Sequence, residues 1–419
     1  MRIAVWHNLP SGGGKRALYY HVRGLVERGH DVACWRLDTA DNSYLPLSAL
    51  APEHVVKLQF SANSVRRFFA RATRSYYLSI RELQAFDIAC RQCAREIDAG
   101  GFDLLFANSA ASFYVPYVLR HVRIPKALYL QEPSRFMYEA TPILPWVAGV
   151  EEDLDRVRLF SLLDLLFDYP RLRGLRVRAR QEWRNVHQTD LVLVNSYFSR
   201  ESVLRTYGIE AKVCYLGVDT STFKDLGLPR DRIVVGLGSV DFIKGIDRAV
   251  RALALLPLPR PPLIWISNSG EARYENDVLQ LAQKLGVDLQ IKRSISDAEL
   301  IHILNTATLL LYTSRLEPFG FAPLEGNACG LPVVAVREGG VRETVTNELN
   351  GILVDPEPQN IAAAVSRLLN DPGLARQLGA NGLRHVEKTW SVDGSVDRLE
   401  MHLQHLVMKQ DQLNNVGIG

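Results

Sequence analysis

Short apolar runs, each bounded by glycine or by a stretch of helical periodicity, constrain this chain more than any other feature. Arg2-Ile3-Ala4-Val5-Trp6 opens the chain. It runs into His7-Asn8-Leu9-Pro10-Ser11-Gly12-Gly13-Gly14-Lys15, then a helical stretch to about Arg28. Gly29 ends that stretch and Asp31 to Trp35 starts the next run. Strand, glycine loop, helix, strand is one βαβ unit, which implies parallel pairing and a right-handed crossover. Leu104 to Ala107, Lys126 to Leu130 and Leu191 to Val194 continue the pattern. Runs that are apolar without alternation suit a sheet covered on both faces.

The second half repeats this logic. Ile233 to Leu237, Leu263 to Ile266, Thr308 to Tyr312 and Pro332 to Val336 read as buried strands, with helices predicted over 246–256 and 274–285. The segment from Gly217 to Phe223, followed by Gly227 and Pro229, is the best linker between the halves. A length of 419 residues suits two domains of ~200 residues better than one core. The expected architecture is therefore α/β twice over: a first domain over 1–216, a second over 217–390, and over 391–419 a final helix that crosses back to the first domain, then a tail. That helix, from Trp390 to about Met408, carries Val392, Val396, Leu399, His402, Leu403 and Leu406 at helical spacing. Ligands of open parallel sheets bind beyond the carboxyl ends of the strands, so two joined sheets predict a site in a cleft between them.

Composition narrows the function classes. A net charge of +3 gives no reason to expect nucleic acid, and no matching binding motif is present. Five scattered cysteines do not form a disulfide framework. Cys90 and Cys93 have no second pair to complete a zinc site and read as a structural helix face. The chain begins on a strand without a signal-peptide pattern, and no apolar run is long enough to cross a bilayer. A cytoplasmic protein is expected. Arg66-Arg67-Phe68-Phe69 and the arginine-rich stretch from Arg171 to Arg184 fit an anionic membrane or an acidic lipid-linked acceptor, and equally a solvated helix face.

The residues that carry chemistry cluster in the second half. Glu317 and Glu325 bracket Glu317-Pro-Phe-Gly-Phe-Ala-Pro-Leu-Glu325. Pro323 predicts a helix start, because its ring pre-sets φ and its missing N–H costs nothing in the first turn. A helix from there to about Cys329, stopped by Gly330, places Glu325 in the first turn. The amides around Gly320 and Phe321 then point toward the helix mouth and suit a phosphate or a sugar hydroxyl. Lys244-Gly245 lies upstream, after a strand, and Gly339-Gly340 downstream.

The chain resembles the retaining glycosyltransferases of family 4, whose GT-B fold sets two Rossmann-like domains facing each other across a central cleft. The resemblance covers most of the length. It rests on Gly12-Gly13-Gly14, Val194-Asn195-Ser196, Tyr215-Leu216-Gly217-Val218-Asp219 with Phe223, the Gly238 to Gly245 loop, Glu317 through Glu325, and Gly339-Gly340-Val341-Arg342-Glu343 ahead of Asn350 to Val354. It implies a nucleotide-sugar donor carrying UDP or GDP, a glycan, glycolipid or small-molecule hydroxyl as acceptor, and no metal or other cofactor. Gly238, Ser239 and Lys244 would meet the diphosphate. Glu325 would accept hydrogen bonds from the ribose, and Glu317 with Phe319, Gly320 and Phe321 would hold the transferred sugar. Gly13, Gly14, Lys15 and Gln131 would form the acceptor side, with Glu132 beside them as a proton acceptor. Two departures from the family pattern stand out. Ser239 occupies a position that usually holds arginine, for which Arg248 or Arg315 are candidate substitutes. Gln131 occupies a position that often holds histidine. The alternatives are a degenerate, non-catalytic transferase subunit and a GT-B-fold nucleotide-sugar epimerase.

Overall fold

The structure is a computed structural model that describes residues 1–59, 80–110, 113–138 and 161–416. The chain folds as two compact units. The first comprises Met1–Asn195, Ser199–Cys214 and Val396–Gly419; the second comprises Ser196–Phe198 and Tyr215–Ser395.

The first unit holds a seven-stranded parallel sheet. Its strands are β1 (Arg2–Asn8), β2 (Asp31–Leu37), β3 (Glu53–Val56), β4 (Leu104–Ala110), β5 (Lys126–Tyr129), β6 (Leu191–Val194) and β7 (Lys212–Val213). Their order in space is β3-β2-β1-β4-β5-β6-β7. The register runs Ile3 beside Val32 on one side and Leu104 on the other. Ile3, Ala4, Val5 and Trp6 are all fully buried, the reason this strand shows no alternation of polar and apolar residues. The helix Gly13–Glu27 buries Leu18, Val22 and Leu25, one helical face, against the sheet. Cys90 and Cys93, on the helix Ile80–Ala99, are buried in the same core, where burial pushes both thiols up.

The second unit holds β8 (Val234–Leu237), β9 (Leu263–Ser267), β10 (Leu289–Arg293), β11 (Leu309–Tyr312), β12 (Val333–Val336) and β13 (Gly351–Val354). The order is β10-β9-β8-β11-β12-β13, all parallel. In each unit the strand order reverses beside the first strand: between β1 and β4, and between β8 and β11. Such switch points are where open parallel sheets bind ligands. The apolar runs predicted from sequence are the interior strands. The four edge strands, β3, β7, β10 and β13, are additional.

The last helix, Val392–Val416, is longer than the predicted stretch. It belongs to the first unit from Val396 onward. Val396, Leu399 and Leu403 are fully buried. A Cβ on Gly24 would come within 2.5 Å of Val396, so that glycine lets the helix Gly13–Glu27 approach closely. Glu400 accepts from Arg28 at 2.8 Å and pairs with His30 at 2.9 Å. The start of the helix stays with the second unit, where Val218 and Trp390 to Val392 hydrogen-bond as short parallel segments. Ser196–Phe198 also departs from its sequence neighbours. The Glu343 carboxylate accepts from the amides of Tyr197 and Phe198 and from the Tyr215 hydroxyl. The Ser196 hydroxyl donates to the Pro318 carbonyl at 2.5 Å.

Candidate active site

The second unit brings most of the sequence-predicted site residues to the carboxyl ends of β8, β11 and β12. Gly238 follows β8 directly. Its φ of +147° is one that side chains avoid, and a Cβ there would sit 3.0 Å from Lys244 Cδ. Glycine thus leaves the space that the Lys244 stem occupies. The Lys244 ammonium donates to Glu317 Oε2 at 2.6 Å, with about a fifth of each side chain exposed. The two residues are far apart in sequence. They meet because the loops after β8 and β11 adjoin at the switch point.

Two features fix the loops. The Asp241 carboxylate accepts from the Lys244 amide at 3.1 Å and caps the short turn Phe242–Lys244. Ser239 donates its hydroxyl to the same Asp241. On the other side, Gly339-Gly340 packs against the backbone of Glu317 and Pro318. The Gly340 amide donates to the Glu317 carbonyl at 2.7 Å, and a Cβ on Gly340 would sit 2.0 Å from the Pro318 carbonyl oxygen. The double glycine therefore sets the height of the Glu317 loop.

The helix Phe321–Ala328 begins two residues before the predicted start. Gly320, at φ +103°, is its N-cap, so the chain turns before Pro323 is reached. Glu325 consequently lies in the second turn, not the first, and is 3% exposed. Phe319 is buried, with its ring edge-on to Phe321 at 5.3 Å between centroids. Gly330 follows the helix at φ +65°, the stop that the sequence implied.

Neither candidate substitute for the missing arginine supplies an unpaired charge. Arg248 forms a two-pronged pair with Glu338 at 3.0 and 2.9 Å. Arg315 forms another with Asp247 at 3.0 and 2.8 Å. Burial pushes the Asp247 carboxyl up, but the hydrogen bonds and charge of Arg315 outweigh it and hold the group below its ordinary range. Both pairs are structural struts of the loops after β8, β11 and β12. The sequence carried no signal for either partner.

The first unit brings Gly14 and Gln131 together. A Cβ on Gly14 would lie 2.9 Å from Gln131 Nε2. Glu132 is bound to the Arg135 guanidinium. It is therefore placed as an ion-pair partner and not as an open base. Gly13 starts the helix Gly13–Glu27. Lys15 differs from its sequence expectation. It is fully buried in the first turn of that helix, and its ammonium makes no hydrogen bond to a described residue. Burial lowers its pKa, Glu53 opposes the shift and Arg36 adds to it. His7 is also fully enclosed, and burial and then Lys15 hold its pKa well below 6.5. His7 and Lys15 belong to the same buried polar group, which charge patterning alone did not reveal.

Two family profiles match the chain. The one described as Glycosyltransferase Family 4 matches residues 11–222, just over half of the chain, and that described as Glycosyl transferases group 1 matches 218–385. The chain belongs to glycosyltransferase family 4. This family-4 chain is 31% identical over 244 residues to the D-inositol 3-phosphate glycosyltransferase of Thermobifida fusca, an alignment covering 52% of this chain and 56% of that protein. It is 25% identical over 261 residues to the human alpha-1,3/1,6-mannosyltransferase ALG2, covering 55% and 63%. The chain thus spans less than two thirds of these relatives' own lengths. In fold it matches the sucrose-phosphate synthase of Thermosynechococcus elongatus, with a TM-score of 0.71 at 20% identity over 98% of this chain and all of that one. It matches Anabaena HepE in complex with UDP-glucose with the same TM-score at 19% identity, over 97% of this chain and all of that one. The family-4 chain therefore has the GT-B fold, built from two Rossmann-like units.

Proposed function

We propose that this protein transfers a hexosyl group from a nucleoside-diphosphate sugar to a hydroxyl acceptor with retention of anomeric configuration. The observation that carries the proposal is the Lys244–Glu317 contact beside the switch point of the second sheet. An ammonium there offers a counter-charge that grows in value as the diphosphate departs. Glu317, with the backbone of Phe319, Gly320 and Phe321, accepts and donates to the hydroxyls of the transferred sugar. Glu325, enclosed on the next helix, takes the ribose hydroxyls as an acceptor-only group. Because Glu132 is tied to Arg135, the leaving phosphate oxygen is the group that takes the acceptor proton. The Gly14–Gln131 contact shapes the acceptor side in this reading, and no metal takes part. UDP-glucose, bound by a protein of the same fold, is the first donor to test. A glycan or glycolipid acceptor at an anionic membrane fits the exposed Arg173, Arg176 and Arg180 on the helix Ser161–Val186.

The test is titration with UDP and UDP-glucose, with product anomers read by NMR. Lys244→Ala should weaken UDP binding by about 10- to 100-fold, since a charge-assisted contact is worth ~1.5–3 kcal/mol. Glu325→Ala should weaken binding of the nucleoside, and Glu317→Ala should lower transfer more than UDP affinity. Unchanged UDP affinity in Lys244→Ala removes the lysine from the site. An inverted product refutes retention.

A further inference from the structure

The second unit carries a groove of about 750 Å³ that the donor site does not use. Thr308 and Gly330, which line it, precede β11 and β12, and Arg232 precedes β8. The groove therefore opens at the amino ends of the strands, while Gly238, Lys244 and Glu317 lie at the carboxyl ends of the same sheet. Its lining is partly aliphatic, with Leu228, Leu369 and Leu383 among its residues. None of the described lining residues is aromatic, so these residues offer no stacking face for a base or a sugar ring.

Its rim is basic. Among the described residues, Arg230, Arg232, Arg376 and Arg384 line it against one carboxylate, Asp225. The Arg230 guanidinium is fixed by the carbonyls of Leu304, Ala307 and Cys329 at 2.8 to 3.1 Å. Arg232, Arg376 and Arg384 are exposed, and among the described residues none of them meets a carboxylate in an ion pair. Aliphatic side chains beside guanidinium groups that form no ion pair among the described residues, in a chain of net charge only +3, complement a ligand with an alkyl body and an anionic head. The volume lies in the range of small-ligand pockets, ~300–1,000 Å³. It is short for a docked helix, and no aromatic anchor awaits one.

We propose that this groove binds an acyl chain bearing an anionic phosphate head group. The proposal does not depend on the glycosyl-transfer reading, because its residues and its titration with dodecyl phosphate are separate from the donor site and its nucleotide titration.

The experiment is isothermal titration of the full chain with dodecyl phosphate below its micelle concentration, with dodecyl maltoside as the uncharged control. Saturable one-to-one binding is expected, weakened at least tenfold in Arg376→Gln/Arg384→Gln and largely retained in Arg376→Lys/Arg384→Lys. Absence of saturable binding, equal affinity for dodecyl maltoside, or an unchanged affinity in the glutamine variant each overturns the proposal. So does equally potent displacement by hexaglutamate, which would mark an acidic protein partner. Co-sedimentation with phosphatidylglycerol vesicles, weakened in the glutamine variant, assigns the ligand to a bilayer. Monomer binding without co-sedimentation assigns it to a free amphiphile, and both results uphold the chemistry.

Discussion

Replacing Lys15 with methionine should stabilise the first unit. The side chain is fully buried and its ammonium has no hydrogen-bond partner among the described residues. Desolvation is the dominant cause of its lowered pKa; Arg36 adds to it, and Glu53 and Asp41 oppose it. Methionine keeps the unbranched shape and removes the charge. Exchanging a poorly paired buried ion for an apolar group of similar volume typically stabilises by ~1–4 kcal/mol. Taking about 2 kcal/mol, and ~2–4 °C per kcal/mol for a unit of about 200 residues, the melting temperature should rise by about 4–8 °C. The pH dependence supplies a second test. Between its lowered folded pKa and the ordinary 10.5, the unfolded chain holds a proton on Lys15 that the folded chain has released. The stability tied to this group is therefore complete above 10.5 and is lost as pH falls through the folded value. Wild-type stability should gain from this group as pH rises from neutrality into that window, and Lys15→Met should remove that gain. Differential scanning calorimetry at pH 7 and pH 9.5 measures both. A lower melting temperature in the variant, or the same pH slope as wild type, would refute the reasoning.

Gly340→Ala should raise the Glu317 loop, because the new Cβ would meet the Pro318 carbonyl oxygen at 2.0 Å. An expected cost of about 1–3 kcal/mol should appear in urea unfolding, along with weaker nucleotide-sugar binding; unchanged values would show that the turn yields freely. Deleting the chain from Val396 uncovers the face of the first helix at Gly24 and removes buried Val396, Leu399, Leu403 and Leu406. At ~1.5–3 kcal/mol per side chain the loss rivals the whole stability of a domain, so the truncated chain should be insoluble, and a soluble product with the wild-type melting point would contradict the packing. Arg173→Gln/Arg176→Gln/Arg180→Gln should reduce co-sedimentation with anionic vesicles at low salt while leaving donor hydrolysis in place. Equal sedimentation of variant and wild type would make the stripe a solvated helix face.

The basic-aromatic stretch from Arg66 to Arg74 lies outside the described residues, so its reading rests on sequence alone. For the rest, what the sequence determined divides cleanly from what it did not. The interior strands were legible because a parallel strand covered on both faces must be apolar throughout; Ile3 to Trp6 and Leu309 to Tyr312 could hardly be anything else. The edge strands were not. Glu53–Val56, Lys212–Val213 and Leu289–Arg293 are half-exposed and carry charged residues, and each is a strand only because a neighbour offers hydrogen bonds along one side. The glycine positions that let backbone approach closely were likewise legible, and the candidate residues Lys244, Glu317 and Glu325 stood out by type and spacing. Their pairing was not. Lys244 meets Glu317 because β8 and β11 are neighbours, a fact of sheet order. Sheet order and the packing of the loops beyond it also took Arg248 and Arg315 into ion pairs with Glu338 and Asp247. The same holds for Lys15, whose residue type announced an exposed cation and whose place in the first turn of a buried helix enclosed it. Sequence determines what each residue can do; which partner it does it with depends on contacts between segments far apart in the chain.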